Sequence, residues 1–262
     1  MNNHSTAELT TGAQTDTELT VSGVRRVFPG GIVALERIDL RVHRGEFLAI
    51  LGPSGCGKST LLRMIAGLDH PTEGTITGVD PAHIAYVFQD AHLLPWRNVL
   101  RNVALPLELR GVSKQQRLIA ARRAVEQVGL AEAIFRFPAQ LSGGMRMRVS
   151  LAHALVTEPR LLLLDEPFAS LDEITRAQLN VQLRTLWQAR RMTVIFVTHS
   201  ITDATFLAER AVVMSRRPGR VVIDHRINLP EERTNLIRVE PEFARQSRML
   251  LDALVSGGVA VE

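Results

Sequence analysis

The sequence predicts an α/β protein with a mainly parallel core sheet, N-terminal antiparallel strands and an inserted helical subdomain. Continuous apolar runs at 46–51, 84–88, 160–165 and 193–197 are typical of strands buried on both faces of a parallel sheet. Segments with helical periodicity separate these runs. A longer stretch with only helical patterns, 98–156, interrupts the alternation, and we therefore expect it to form a subdomain inserted into the sheet domain.

The N-terminal part begins with a segment that has no structural pattern. Residues 1–17 are polar and aperiodic, so we predict a disordered leader and place the start of the fold near Glu18. Alternating apolar residues at 19–27 and 38–42 predict two strands. After the first buried run, residues 59–68 are predicted to form a helix, because a glycine and a proline break close the pattern.

The C-terminal half returns to alternating strands and helices. Past the helical insertion, the pattern predicts a helix at 172–190 and short strands at 211–214 and 220–223. These elements complete one domain over 18–230. Residues 231–262 are predicted to form a helical tail whose role the sequence does not indicate.

Composition and charge exclude several classes of function. The net charge of the 262-residue chain is +4, and its arginines are scattered among acidic and apolar neighbours, so nucleic-acid binding is not expected. The N-terminal segment lacks the pattern of a signal peptide, and no apolar stretch approaches the ~18 residues of a spanning helix. We expect a cytoplasmic protein that reaches any membrane process through a partner. A single cysteine, Cys56, excludes an internal disulfide.

A phosphate-binding loop is predicted between the first buried strand and the helix that follows it. The segment Gly52-Pro-Ser-Gly-Cys-Gly-Lys58-Ser59 matches the pattern G-x-x-x-x-G-K-[ST], in which backbone N–H groups and the helix N-terminus face an anion. Lys58 would supply positive charge to the β- and γ-phosphates, and the Ser59 hydroxyl is a hard ligand for Mg²⁺. We expect Mg·ATP to contact Gly52, Pro53, Ser54, Gly55, Cys56, Gly57, Lys58, Ser59 and Thr60.

Two alternatives remain open for this loop. A chance glycine-rich turn would arise in roughly one chain of this length in a hundred. The strand before the loop and the helix after it favour phosphate binding. For Cys56, a small buried side chain is a simpler interpretation than a redox sensor.

Two carboxylates follow the buried strand at 160–165. Asp165 and Glu166 would stand at the C-terminal edge of the sheet, where parallel-sheet proteins bind nucleotides. We expect Asp165 to hold Mg²⁺, directly or through water, and Glu166 to polarise the water that attacks the γ-phosphate. The alternative is a strand that simply ends in solvated acids.

A further set of short motifs carries a family resemblance. Leu141-Ser142-Gly143-Gly144-Met145, preceded by glutamine and followed by a helix, closely resembles the signature sequence of ATP-binding cassette (ABC) proteins. Gln89 resembles the Q-loop of that family, Ser170-Leu171-Asp172 its D-loop, and His199 its switch histidine. The resemblance covers residues 18–225 in the order that the family has. We call residues 141–145 the signature segment below.

The resemblance implies a dimer that closes around two ATP molecules. Ser142 and the backbone N–H groups of Gly143 and Gly144 would form a second anion site at a helix N-terminus. In this family, that site faces the γ-phosphate held by the other subunit. ATP binding would therefore close the dimer, and hydrolysis would let it open.

The resemblance also implies roles for single residues. Phe28 would stack on adenine, and Gln89 would contact Mg²⁺ and sense the partner. Asp172 would bridge the two sites, and His199 would contact the γ-phosphate and position Glu166 with its water. An ordinary core aromatic, a loop amide and a helix-start residue are the alternatives for Phe28, Gln89 and His199.

The sequence departs from the family pattern at three positions. Met145 stands where the family usually has glutamine, His153 where it has arginine, and Ser200 where it has aspartate. These changes leave the anion-binding atoms in place. They bear on the rate of hydrolysis rather than on its existence.

The family branch is narrowed by what the chain contains. The short spacing between Lys58 and Ser142 leaves room only for a compact helical subdomain, and the chain has one cassette without fused membrane spans. These features indicate the separate ATPase subunit of an importer. Residues 87–96 and 215–220 are similar to the ATPases of nitrate, sulfonate and taurine importers. The partners implied are a second copy of the chain, membrane permease subunits and, indirectly, a solute-binding protein.

One stretch indicates where a permease would bind. The apolar run 93–96 beside Gln89 is expected to line a groove for a short coupling helix of the permease, which places the protein at the cytoplasmic face of the membrane. A turn packed on the helical subdomain is the alternative for this run. A soluble ABC ATPase with a regulatory or assembly role and no permease is the alternative function.

Overall fold

The structure is a computed structural model that describes residues 17–258 of the chain. Residues 1–16, which hold nearly all of the predicted leader, lie outside the described part, and Thr17 is already the first residue of a strand. The helices and strands, in chain order, are β1 (Thr17–Phe28), β2 (Ile32–His43), β3 (Phe47–Leu51), α1 (Lys58–Ile65), β4 (Glu73–Gly78), β5 (Ile84–Val87), α2 (Val99–Leu109), α3 (Lys114–Gln127), α4 (Gly143–Leu155), β6 (Leu161–Asp165), α5 (Glu173–Arg190), β7 (Thr193–Thr198), α6 (Ile201–Leu207), β8 (Arg210–Met214), β9 (Val221–Arg226) and α7 (Pro241–Ser256).

The N-terminal strands form an antiparallel sheet, as predicted. Its order is β2-β1-β4, and β1 pairs with β2 over nearly its whole length, with Val21 opposite Leu40 and Val24 opposite Ile38. The third strand, β4, is absent from the sequence prediction. Only Ile76 in β4 is partly buried, so this edge strand has no apolar alternation by which it could be recognised.

The central sheet carries the order β5-β6-β7-β3-β8-β9, and its pairings are parallel except for the antiparallel edge pair β8–β9. Every residue of β3, β6 and β7 is buried, which confirms the interpretation of the continuous apolar runs. Because the strands are parallel, the segments that follow β3, β5, β6 and β7 all leave from the same edge of the sheet. The predicted phosphate loop, Gln89, the two carboxylates and His199 lie in those segments.

The helical insertion consists of α2, α3 and α4, which pack against one another. Their inner faces join the core that covers one side of the central sheet, with buried Val103, Val125 and Leu155 among its members. The helix after the phosphate loop, α1, ends at Ile65 instead of at residue 68. Gly67 closes it with a φ of 71°, so residues 66–68 form a turn and not a last helical turn.

The tail after residue 230 packs on the sheet domain. Its helix α7 contacts α6, β8 and β9, and Phe243, Leu250 and Leu254 on α7 are buried in the main core. Within residues 17–258, none of the helices combines the length and the apolar character needed to cross a bilayer.

Candidate nucleotide site

The predicted phosphate loop connects β3 to α1. Gly57 is the residue before the first turn of α1 and has a φ of 109°. A Cβ atom at this position would lie 2.6 Å from Leu35 Cδ2 and 3.0 Å from the carbonyl oxygen of Ala34, so the close approach of β2 requires glycine here. No acidic residue stands in the first turn of α1, which leaves the positive end of the helix dipole available to an anion.

Lys58 is held inside the loop by backbone carbonyl groups. Its side chain is only 3% exposed, and Nζ donates hydrogen bonds to the carbonyl oxygens of Gly52 at 2.8 Å and Pro53 at 3.0 Å. The same Nζ lies 3.4 Å from Glu166 Oε1. A buried ammonium group requires such partners, and they hold the charge between the loop and the predicted general base.

Ser59 and Asp165 meet across the site although they are far apart in the sequence. Ser59 Oγ donates a 2.8 Å hydrogen bond to Asp165 Oδ1. Asp165 is the last residue of β6 and is 8% exposed. A hydroxyl and a carboxylate side by side are a suitable pair for Mg²⁺, which takes few protein ligands and completes its shell with phosphate oxygens and water.

Among the described residues, the magnesium site has few protein ligands. Within residues 17–258 there is no cluster of three or more His, Cys, Asp or Glu side chains that could hold a metal ion. The third predicted ligand, Gln89, is exposed in the bend after β5. The last residue of β5, Val87, pairs with Leu164 of β6, so Gln89 follows at the same sheet edge as Asp165.

Tyr86 also contacts Asp165, a contact that was not predicted from the sequence. Its hydroxyl donates a 2.8 Å hydrogen bond to Asp165 Oδ2. Burial and this hydrogen bond raise the pKa of Tyr86 far above its usual range, so the hydroxyl stays a donor. A signal was present, because a tyrosine inside an otherwise apolar buried strand needs a partner for its hydroxyl group.

Glu166 and His199 form a pair next to Lys58. His199 Nδ1 lies 2.9 Å from Glu166 Oε2, and the tautomer with a proton on Nδ1 donates to that oxygen. Glu166 has a φ of 47°, a left-handed conformation that is uncommon outside glycine, and its backbone N–H donates to the carbonyl of Val197. The structure thus brings three predicted catalytic residues into one row: Lys58, Glu166 and His199.

The signature segment begins α4. Ser142 Oγ accepts a 3.3 Å hydrogen bond from the backbone N–H of Met145, and no acidic residue stands in the first turn. A Cβ atom on Gly144 would lie 2.5 Å from Thr175 Cγ2, so α4 packs closely on the start of α5. Gly143 approaches Leu171, which places the signature segment beside the predicted D-loop.

Asp172 lies at the start of α5, and Phe28 lies at the end of β1. Asp172 caps α5 by accepting a 2.9 Å hydrogen bond from the backbone N–H of Thr175, and such hydrogen bonds lower the pKa of its carboxyl group. Phe28, the last residue of β1, is half-buried and lies outside the core clusters. The guanidinium of Arg26 lies 4.9 Å from the centroid of the Phe28 ring.

The three departures from the family pattern lie in different local environments. Ser200 caps α6 by accepting from the backbone N–H of Asp203, which an aspartate could do equally well. Met145 is half-buried beside the core. His153 is half-buried in α4, with Nδ1 2.9 Å from the carbonyl oxygen of Asn102, and desolvation lowers the pKa of its imidazole.

Asn102 anchors the segment that carries the apolar run 93–96. Its side chain is buried, accepts from the backbone N–H of Leu94 at 2.8 Å, and donates to the carbonyls of Leu94, Arg97 and Asn98. Within the run, Leu93 and Leu94 are half-buried, whereas Trp96 is 71% exposed. The first half of the run therefore packs on the protein and its end stays accessible, and its role as a permease groove stays a prediction.

An open groove lies beside Trp96. It has a volume of about 630 Å³, and Phe135, which is 67% exposed, stands at its wall. Its lining combines apolar residues of α2 and α3 with charged groups. Its lining includes Leu100, Ala104, Leu118, Arg101, Glu108 and Arg117.

Comparison with known proteins places these features in a family. The ABC transporter family matches residues 35–169 of this chain. An aliphatic sulfonates import ATP-binding protein of Mycobacterium sp. (strain MCS) is 47% identical over 236 residues, which cover 90% of this chain and 93% of that protein. A nitrate import ATP-binding protein of Synechocystis sp. is 40% identical over 245 residues, which cover 87% of this chain and 92% of that protein.

The fold has a solved counterpart as well. A dimeric ATP-binding cassette in a post-hydrolysis state, bound to ADP and Pi, matches this chain with a TM-score of 0.71 and 32% identity. The match covers 81% of this chain and 100% of that chain. Together, the parallel sheet, the phosphate loop and the carboxylates at its edge define a phosphate-loop ATPase. Within that class, this chain belongs to the ABC transporter family.

Proposed function

We propose that this chain is the Mg²⁺-dependent ATPase subunit of an importer for a small anion. The row of Lys58, Glu166 and His199 beside the Ser59–Asp165 pair is the observation that carries the proposal. The import function and the type of solute are supported by the sulfonate and nitrate relatives. These relatives favour nitrate, a sulfonate or the related aminosulfonate taurine as the solute.

The chemistry follows from the positions of these side chains. The phosphate loop and Lys58 bind the phosphates of ATP. The Glu166 carboxylate accepts a hydrogen bond from the attacking water. His199 holds the Glu166 carboxylate through Nδ1 and can contact the γ-phosphate from its exposed side. Ser59, Asp165 and Gln89 would hold Mg²⁺, which would supply positive charge to neutralise the phosphate oxygens.

We further propose that two copies of the chain close around two ATP molecules. Ser142, Gly143 and Gly144 begin a 13-residue helix with no acid in its first turn, which is a suitable second site for the γ-phosphate of the partner's nucleotide. Asp172 would then link the two sites, and Phe28 would stack on adenine. The dimeric ADP-bound cassette supports this arrangement.

The groove beside Trp96 is the proposed docking site of the permease. A groove lined by both apolar and charged residues, with the exposed rings of Trp96 and Phe135, suits a short amphipathic helix from a membrane partner. The docked protein would lie at the cytoplasmic face of the membrane. A solute-binding protein would act through the permease and without contact to this chain.

The proposal is tested by purification through a tag on this chain from solubilised membranes. We expect polytopic permease subunits among the copurifying proteins, and we expect Trp96→Ala to reduce their recovery about tenfold while the ATPase activity of the isolated chain stays unchanged. Leu109→Ala, a change at an exposed apolar residue outside the groove lining, is the control. Recovery of soluble partners alone would instead support a regulatory or assembly ATPase without a permease.

A further inference from the structure

We propose that Tyr86 is a positioning residue that orients the Asp165 carboxylate toward Mg²⁺. The inference rests on the magnesium site proposed above. It adds a residue from β5 to a site otherwise built from α1, β6 and the bend that holds Gln89. Tyr86 would act through Asp165 and not on the nucleotide itself.

The geometry gives each oxygen of Asp165 its own hydroxyl donor. Ser59 Oγ lies 2.8 Å from Oδ1, and the Tyr86 hydroxyl lies 2.8 Å from Oδ2. Together the two donors hold the carboxylate in one orientation. One oxygen faces the Ser59 hydroxyl at the phosphate side, and the other faces away from it, toward β5.

The register of the sheet explains why this residue can reach the carboxylate. Tyr86 pairs with Leu163 on the neighbouring parallel strand. Asp165 follows Leu163 by two positions, so both lie on the same face of β6. A tyrosine side chain at position 86 is long enough to reach the Asp165 carboxylate. A phenylalanine at this position would have no hydroxyl group to donate.

The contact matters because Asp165 is almost fully buried. Without the Tyr86 hydroxyl, Oδ2 of a buried carboxylate would lose its donor, and the carboxylate could rotate to find another. Groups that orient metal ligands typically change metal affinity by about 10- to 100-fold when they are removed. We expect an effect of this size from the loss of one hydroxyl.

The ring of Tyr86 also supports the loop that carries Gln89. The ring centroids of Tyr86 and Phe88 are 4.4 Å apart, and the Phe88 ring meets His92 edge-on at 5.3 Å. His92 has a φ of 43°, so the loop turns sharply at this point. The residue that orients Asp165 is thus packed against the segment leading to the proposed permease groove.

Metal binding without turnover is the direct test. Mn²⁺ serves as the probe, because it shares the preference of Mg²⁺ for oxygen ligands and its free form is measured by electron paramagnetic resonance. In the presence of a non-hydrolysable ATP analogue, we expect Tyr86→Phe to raise the Kd for Mn²⁺ about 10- to 100-fold. Binding of a fluorescent ATP analogue in EDTA should be unchanged.

Two variants frame this result. Ser59→Ala, which removes the other hydroxyl, should weaken Mn²⁺ binding, whereas Thr185→Ala, which removes an exposed hydroxyl on α5, should leave it unchanged. If the wild-type protein shows no metal-dependent nucleotide binding, the proposed magnesium site is wrong. If the wild type and Ser59→Ala behave as stated but Tyr86→Phe binds Mn²⁺ like the wild type, the role of Tyr86 is overturned and the magnesium site stands.

A second measurement does not depend on the stability of a variant. Tyr86 is the single tyrosine of the chain, so tyrosine labelled with ¹³C at Cζ gives one NMR resonance that reports on its hydroxyl group. Addition of Mg²⁺ to the protein with the ATP analogue should shift this resonance. The reason is that the Asp165 carboxylate, which accepts the hydrogen bond from Tyr86, would then also bind Mg²⁺. An unchanged resonance at saturating Mg²⁺ would overturn the proposal.

Discussion

At the residue scale, the proposed hydrolysis depends on the position of the Glu166 carboxylate. Its carboxylate lies between the ammonium of Lys58 and the ring of His199, and its backbone has a left-handed conformation that directs the side chain. A residue in this region of backbone space carries strain, which the surrounding strands have to offset. The placement of the carboxylate therefore depends on the sheet, while its chemistry depends on its charge.

Removal of that charge is the first prediction. Glu166→Gln keeps the size of the side chain and an acceptor for His199, so ATP binding should persist and the dimer should remain closed. Phosphate release should fall about 100-fold or more, the range of a lost general base. Phosphate release and size-exclusion chromatography with ATP measure the two effects. Glu173→Gln, at an exposed acid on α5, is the control, and full turnover in Glu166→Gln would refute the assignment of the base.

The second prediction concerns the pH dependence of stability at His153. Burial lowers the pKa of this imidazole below its ordinary 6.5, so the unfolded chain takes up a proton in acid more readily than the folded chain does. The His153 imidazole therefore leaves the free energy of unfolding unchanged at pH 7.5 and lowers it as the pH falls below 6.5. Between pH 7.5 and 5.5, the free energy of unfolding of the wild type should fall more than that of His153→Gln.

Urea unfolding at several pH values measures this difference. The other ionisable groups are the same in both proteins, so their effects cancel in the comparison. An equal pH dependence of the wild type and His153→Gln would show that the folded protein accommodates the charged ring. The carbonyl oxygen of Asn102, 2.9 Å from Nδ1, is the group that would have to compensate it.

At the scale of elements, the short helix α6 is held by two buried arginines. Arg233 Nη1 donates to the carbonyls of Thr205, Phe206 and Ala208 at 2.8 to 3.0 Å, and Arg184 donates to that of Leu207. Burial lowers the pKa of both guanidinium groups, which reflects the desolvation that these hydrogen bonds offset. Because Arg233 belongs to the tail, the tail stabilises the helix that begins right after His199.

The third prediction follows from this contact. Arg233→Met keeps the apolar volume but leaves carbonyl groups at the end of α6 without donors. We expect it to lower the free energy of unfolding by about 2 to 4 kcal/mol. Arg248→Met on α7, which removes an exposed ion pair with Asp252, should change it by less than about 0.5 kcal/mol. Equal denaturation midpoints for the two variants would contradict the role assigned to Arg233.

At the scale of the whole molecule, the proposed site draws on two separate segments of the chain. The phosphate loop and the carboxylates are at the edge of the central sheet, and the signature segment is at the start of α4 beside the D-loop. In the proposed dimer, each half is completed by the other copy. If the N-terminus of α4 binds the γ-phosphate held by the partner, a substitution there should impair dimer closure. ATP binding by a single chain should stay intact.

Gly143 allows this fourth prediction to be tested with a matched pair of variants. A Cβ atom on this exposed residue would meet Leu171 Cδ2 at an ordinary 3.4 Å, so Gly143→Ala should be tolerated. Gly143→Asp places a negative charge where the γ-phosphate would bind. In the Glu166→Gln background, we expect Gly143→Asp to abolish the ATP-dependent dimer in light scattering, whereas Gly143→Ala retains it. A dimer in both variants would argue against the second anion site.

Much of the fold was predictable because its elements have strong local patterns. The buried strands β3, β6 and β7 are continuous apolar runs, and the phosphate loop is a short motif whose function depends on backbone geometry. The strand β4 was missed because its side chains are nearly all exposed and its pairing with β1 is made by backbone groups. The predicted end of α1 at residue 68 was wrong. The α-helix ends at Ile65, immediately before the turn that contains Gly67.

The sequence by itself determined the class of protein, the phosphate loop and the identities of the residues expected at the site. Only the tertiary structure showed the hydrogen bonds at the site: Ser59 with Asp165, His199 with Glu166 and, unexpected from the sequence, Tyr86 with Asp165. The reason is physical. A motif is local, because it depends on dihedral angles and spacing along the chain, whereas a hydrogen bond between distant residues depends on strand order and register, which arise from packing the whole core.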